Sequence, residues 1–171
     1  MNAFNENHLE ESVIELLQPM GYGYAFGPDI SPGGDYQERK DHKEVILPLR
    51  VKEALYRINR KLPEEALEEA FRQIITFNSP MLEENNRYFH QLMVEGIEVS
   101  FNEKGHIRTK RAYILDYEHP ENNRFLAVNQ LTVIENESRR PDVVIFVNGI
   151  PLVIMELKSA VDENVGIESA Y

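Results

Sequence analysis

The sequence contains no cysteine, which excludes disulfides and thiolate metal sites. No apolar run approaches the roughly 20 residues that span a bilayer as a helix. The first twelve residues, MNAFNENHLEES, are polar and acidic, without the basic start and apolar centre of a signal peptide. Together these absences point to a cytoplasmic protein with no membrane partner. Positive charge is also scarce: 18 Lys and Arg face 29 Asp and Glu, a net charge of -11. That balance argues against broad, non-specific adhesion to nucleic acid, which depends on excess Lys and Arg. It leaves open a metal-dependent nucleic-acid enzyme, whose site is acidic by construction and whose grip another part of an assembly can supply.

What remains is an ordinary globular composition, 42% apolar and 27% charged over 171 residues, enough for one domain with a real core. Leu9, Val13, Leu16 and Leu17 recur at helical spacing over 7–19, stopped by Pro19 and Gly21. Residues 21–36 read as a short strand or loop. Gly21, Gly23 and Gly27 there do not have dinucleotide-binding spacing and follow a helix rather than a strand. From 41 to about 95 the pattern is helical three times: Leu49 to Asn59, a helix opened by Pro63 and two glutamates, and one capped by Ser79 with Pro80 in its first turn and Gly96 as its stop. After Gly96 the period changes to strand-like runs, IEVSF, HIRTKRAYILDY, RFLAVNQLTVI, DVVIFV and PLVIMELK, with NEKG (102–105) as a hairpin turn. These are expected to be antiparallel. The tail 161–171 reads as the beginning of a helix.

The stretch RRPDVVIFVNGIPLVIMELK reads as a hairpin about Asn148–Gly149. Glu156 and Lys158, two apart, share a strand face. A two-residue turn would set Asp142 opposite Met155, whereas a three-residue loop, Asn148 to Ile150, sets it opposite Glu156. The odd loop is the expectation. It puts Asp142, Val144, Phe146, Leu152, Ile154, Glu156 and Lys158 on one face, and Val143, Ile145, Val147, Pro151, Val153, Met155 and Leu157 on the other. Both faces are apolar, so helices are expected to cover both. Two carboxylates and a lysine at the end of apolar strands suit a divalent metal and an attacking water, with Mg²⁺ or Mn²⁺ favoured over zinc by hard oxygen ligands. The same residues also suit a solvated ion pair at a strand end.

The hairpin sequence resembles the active-site hairpin of the PD-(D/E)xK nucleases. More narrowly, with YILDYEHPENNRFLAVNQLTVIE, SPMLEENNRYFHQLMVEGI and FNENHLEESVIELLQPMGY upstream, it resembles the N-terminal endonuclease domain of the restriction subunit of type I restriction-modification enzymes. The resemblance implies an α/β fold of restriction-endonuclease type: one nuclease domain over 1–171, a mixed β-sheet flanked by helices, with a helical insertion at about 41–95. It implies Asp142 and Glu156 as metal ligands, the Leu157 carbonyl as a third, and Lys158 as the catalytic lysine. A first-helix glutamate joins many such sites. Glu10 is the choice here and Glu6 the runner-up, with a solvated acidic helix face as the alternative for both. The implied cofactor is Mg²⁺, for which Mn²⁺ substitutes. The implied partners are double-stranded DNA and the methylation and specificity subunits. Two features depart from the family: no Gln-x-x-x-Tyr motif follows Lys158, and no Gly-Lys-Ser/Thr loop exists for an ATP-driven motor. The chain therefore reads as a fragment of a longer subunit, and ATP belongs only to the whole. An acidic DNA mimic or docking module, or another nuclease of the same superfamily, are the alternatives.

Arg108 and Lys110 on one face of a strand, with Arg111 on the other, are candidate DNA-backbone contacts, as are Arg139 and Arg140 just before Asp142. The five histidines lack metal-ligand spacing. The Asn residues of PENNRFLAVNQ (120–130) are assigned to turn hydrogen bonds.

Overall fold

The computed structural model describes residues 6–76, 79 and 81–158, the side chains of Glu6 and Asn7 excepted. In chain order the elements are α1 (Glu6–Leu17), β1 (Gly23–Phe26), α2 (Gly27–Ile30), α3 (Pro48–Ile58), α4 (Glu64–Ile75), α5 (Leu82–Glu95), β2 (Ile97–Glu103), β3 (His106–Ala112), β4 (Phe125–Asn129), β5 (Val133–Ile134), β6 (Ser138–Arg139), β7 (Val143–Val147) and β8 (Ile150–Met155). They form two compact units: Met1–Val45 with Phe125–Tyr171, and Ile46–Arg124.

The first unit is built on a four-stranded sheet in the order β1-β4-β7-β8. β4, β7 and β8 are antiparallel neighbours, but β1 pairs with β4 in parallel. The strands after Gly96 thus pair antiparallel as expected, and β1 makes the sheet mixed, as the resemblance implies. Parallel pairing needs a long crossover, and the whole second unit lies in sequence between β1 and β4. α1 covers one face of this sheet. On its inner side Glu10 and Ile14 are buried, and Ile14, with the partly buried Val13 and Leu17, packs on Ala127, Val143 and Ile145. The apolar positions at 3.6 spacing account for the helix. Each fully buried Val or Ile on this face contributes about 1.5–3 kcal/mol. Leu16, expected on the stripe, is 70% exposed. On the second face Ile154 of β8 is 68% exposed, so among the described residues the expected helical cover of that face stops short of β8.

In the second unit α4 packs against α3 and β2. Strand β2 alternates in the expected way: Ile97, Val99 and Phe101 are buried, Glu98 and Ser100 exposed. The NEKG turn is present, with Lys104 and Gly105 both left-handed (φ 54° and 83°) and the Gly105 N–H donating to Asn102 Oδ1 at 2.8 Å. The buried Asn59 side chain ties α3 to the end of β3. Its amide donates to the carbonyls of Leu55 (2.9 Å) and Tyr113 (2.7 Å), and its Oδ1 accepts the Tyr113 N–H at 2.7 Å. The expected strand over 106–117 stops at Ala112. Asp116 accepts the His119 N–H and the Asn122 amide instead, and these bonds turn the chain. Helix α5 begins at Leu82, later than expected. The Ser79 hydroxyl accepts the Met81 N–H but does not cap the helix. Pro80 and the helix expected over 161–171 lie outside the described residues.

Candidate active site

The β7–β8 hairpin reaches its expected register by an unexpected route. The loop is the two-residue Asn148–Gly149 turn, with both residues left-handed (φ 53° and 84°), a geometry that matches strand twist. Phe146 faces Pro151 and Val147 faces Ile150. The register then shifts by one, so that Ile145 faces Val153, Val144 faces Ile154 and Val143 faces Met155. Leu152 is the additional residue of a β-bulge. The paired residues end at Val143–Met155, and one step further the same register would bring Asp142 level with Glu156. The three-residue loop is therefore corrected, and the bulge supplies the odd residue that the loop was expected to add. The bulge also moves Pro151 onto the face of Phe146.

Asp142 is half-buried at the start of β7, and its Oδ2 accepts the backbone N–H of Leu157 at 2.5 Å. This bond holds the segment beyond β8 against the Asp142 carboxylate and leaves Glu156 and Lys158 exposed on either side of Leu157. Leu157 itself packs with Met155 against the core beneath α1. A carboxylate, a second carboxylate across the strand pair and a backbone carbonyl between the exposed residues make a set of hard oxygen donors. That chemistry fits Mg²⁺ or Mn²⁺ rather than a soft metal.

Glu10 is not on a solvated helix face. It is 5% exposed, on the buried stripe of α1, and its Oε2 accepts the amides of Asn129 (3.2 Å) and Gln130 (3.3 Å) at the end of β4. The Tyr24 hydroxyl donates in turn to Asn129 Oδ1 at 3.0 Å. Burial pushes the Tyr24 phenol pKa up, with Asp29, Glu10 and Glu11 acting in the same direction through their charge, so this hydroxyl stays a donor. Among the described residues, no three His, Cys, Asp or Glu side chains are gathered as a metal cluster. Glu10 is thus brought to the sheet end by its own hydrogen bonds. The Glu6 side chain lies outside the described residues.

Sequence reasoning missed Asn129, Gln130 and Tyr24. The assignment of Asn side chains to turns holds for Asn122 and Asn123, which bond to Asp116, but Asn129 serves Glu10. The available signal was an Asn–Gln pair closing an apolar strand, where a solvated pair has no reason to follow Ala127 and Val128.

The candidate DNA contacts are exposed, as expected. Arg108 and Lys110 stand opposite Phe101 and Val99, and Arg111 opposite Glu98 on the other face. Arg108 pairs with Glu103 at 3.3 Å, Lys110 lies over the Phe101 ring, Arg111 pairs with Glu95, and Arg139 lies 3.9 Å from Glu137. Arg140 is exposed. Charge is divided unevenly. The unit holding Asp142 carries 16 Asp and Glu against 6 Lys and Arg, a net -10, and the other unit is close to neutral.

Residues 3–171 match the family model described as type I restriction enzyme R protein N terminus. The chain is 32% identical, over 98% of its length, to the "Type I restriction enzyme HindI endonuclease subunit" of Haemophilus influenzae. It is 33% identical, over 91% of its length, to the "Putative type I restriction enzyme MjaIXP endonuclease subunit" of Methanocaldococcus jannaschii. The chain spans 16% and 15% of those two proteins. On the match over nearly its whole length, the chain belongs to the type I restriction enzyme R protein N-terminal family.

Proposed function

We propose that this chain is the DNA-cleaving domain of a type I restriction enzyme, hydrolysing phosphodiester bonds with Mg²⁺ bound between Asp142 and Glu156. The observation that carries the proposal is the bulged register, which one step past Val143–Met155 would bring Asp142 level with Glu156, together with the Leu157 N–H on Asp142 Oδ2.

A bound Mg²⁺ would polarise a phosphodiester oxygen and lower the pKa of a coordinated water. The chain's own residues do the rest. Asp142, held by Leu157, would offer its remaining oxygen to the metal. Glu156, just past β8, and the Leu157 carbonyl would be the further donors. Lys158, two residues along, carries its ammonium to the same exposed end, where it orients the attacking water or meets negative charge developing on the phosphate. Glu10 is held by amides at the end of β4 as a further carboxylate. With a net charge of -10 around the site, gripping double-stranded DNA falls to the metal, to Arg139 and Arg140, and to the rest of the enzyme. In that reading ATP-driven translocation belongs to the remainder of the subunit, and the methylation and specificity subunits choose the DNA.

The test uses the complete restriction enzyme carrying Glu156→Gln or Lys158→Ala. DNA cleavage is expected to fall by about a thousand-fold or more, from the loss of several kcal/mol of charge stabilisation, while DNA-stimulated ATP hydrolysis persists. Cleavage at the unaltered rate in both variants would remove Glu156 and Lys158 from the chemistry.

A further inference from the structure

We propose that Gln130 is a positioning residue that fixes Glu10 relative to Asp142. The inference rests on the metal-site reading of Asp142 and Glu156 and adds a residue to it.

Gln130 is bonded to both acidic elements at once. Its side-chain amide donates to Glu10 Oε2 at 3.3 Å, and its backbone N–H donates to the Asp142 carbonyl at 3.2 Å. One residue thus spans from the buried stripe of α1 to the start of β7. Asn129 donates to the same Glu10 oxygen. The Tyr24 hydroxyl on Asn129 Oδ1 orients that amide with its NH₂ toward Glu10, because a carboxylate only accepts. Both amides therefore converge on Oε2, and Oε1 lies outside their network.

Two local choices here are unfavourable on their own terms. A glutamate on an apolar helix stripe is harder to bury than the leucine that fits the same pattern. Gln130 has φ 52°, a left-handed backbone that Gly or Asn enters at less cost. The strained residue and the buried acid meet in one hydrogen bond, a coincidence expected where geometry serves a site rather than stability. The backbone there is also clamped from outside. A Cβ on Gly27, at the start of α2, would lie 2.6 Å from the carbonyl oxygens of Asn129 and Gln130, so α2 presses directly on the left-handed turn. Restrained in this way, the Gln130 amide holds Glu10 in one orientation, as outer partners orient metal-binding carboxylates elsewhere.

The test is calorimetric Mn²⁺ titration of the chain and of its Gln130→Gly, Glu10→Ala and doubly substituted forms, with thermal unfolding of each. Gly keeps the left-handed backbone and its N–H while removing the amide and the strain. Gln130→Gly is expected to weaken Mn²⁺ binding by about ten-fold or more, with an unchanged or higher melting temperature. In the Glu10→Ala background it is expected to cause no further weakening. Unchanged affinity in Gln130→Gly overturns the proposal, as do losses that multiply independently with those of Glu10→Ala. If the unsubstituted chain binds no Mn²⁺, the metal reading falls and the clamp is judged by urea unfolding. Non-additive effects of the two substitutions support it, and additive effects overturn it.

Discussion

Leu157 donates its backbone N–H to the carboxylate of Asp142 across fifteen residues of chain. That bond fixes where strand β8 ends relative to the start of β7 and which oxygen of Asp142 remains for a ligand. Asp142→Asn preserves the shape and, through its Oδ1, the ability to accept this N–H, but it removes the charge. The fold should therefore survive with a change of about 1 kcal/mol or less. Mn²⁺ affinity should drop by at least a factor of ten, because a hard cation loses an anionic ligand. Calorimetry paired with urea unfolding checks both halves, and a variant that binds Mn²⁺ as tightly as the parent would remove Asp142 from the site.

Deleting Leu152 removes the bulge without touching a charged residue. The two-residue turn has its own preference, so the ladder closes over the gap and keeps Ile145 opposite Val153, Val144 opposite Ile154 and Val143 opposite Met155. Glu156 and Lys158 then keep their side of the hairpin. The expected outcome is a folded chain that still binds Mn²⁺, with Val144 opposite Ile154 in NMR contacts between the strands. Val144 opposite Met155, with binding lost, would show that the bulge re-forms around Val153 and carries the following side chains to the other face.

Asn59→Ala tests the second unit. Asn59 alone satisfies the Tyr113 N–H with its side chain and bonds two carbonyls besides. Its loss leaves a backbone donor without its partner, at a cost of about 2–3 kcal/mol. Urea unfolding should show that loss, and a cost below about 0.5 kcal/mol would mean that the Tyr113 N–H finds a replacement partner.

Asp116 predicts a pH dependence. The Asn122 amide first, then the His119 N–H, hold its carboxyl below the usual carboxylate pKa. A depressed folded pKa means that the folded state binds its proton less readily than the unfolded chain. The contribution is therefore fully present above about pH 4 and lost as pH falls below it. Asp116→Asn should lower stability at neutral pH, where the contribution is fully present, and flatten part of the acid limb of the stability curve. A variant with an identical acid limb would assign the acid sensitivity to other carboxylates.

Several features of this chain could be read directly from its sequence because they depend on neighbours in the chain. The spacing of Val13 and Leu17 gives a helix, the alternation of Ile97, Val99 and Phe101 gives a strand, and NEKG and Asn148–Gly149 give turns. The hairpin motif from Pro141 to Lys158 identified the family. Glu10 was the choice from the first helix with a solvated acidic face left open beside it, and its burial decides against that alternative.

Other features were settled only by the tertiary structure, since they depend on groups far apart in sequence. Local pattern treats loop length and bulge as interchangeable ways of adding one residue, so the expected pairing of Val143 with Met155 was reached through the wrong loop. Likewise, an Asn and a Gln at a strand end look like turn formers until α1 is laid across the sheet and Glu10 comes within reach. The parallel pairing of β1 with β4 is the largest such decision. It joins residues about a hundred positions apart, and no periodicity within either strand encodes which partner a strand edge will meet.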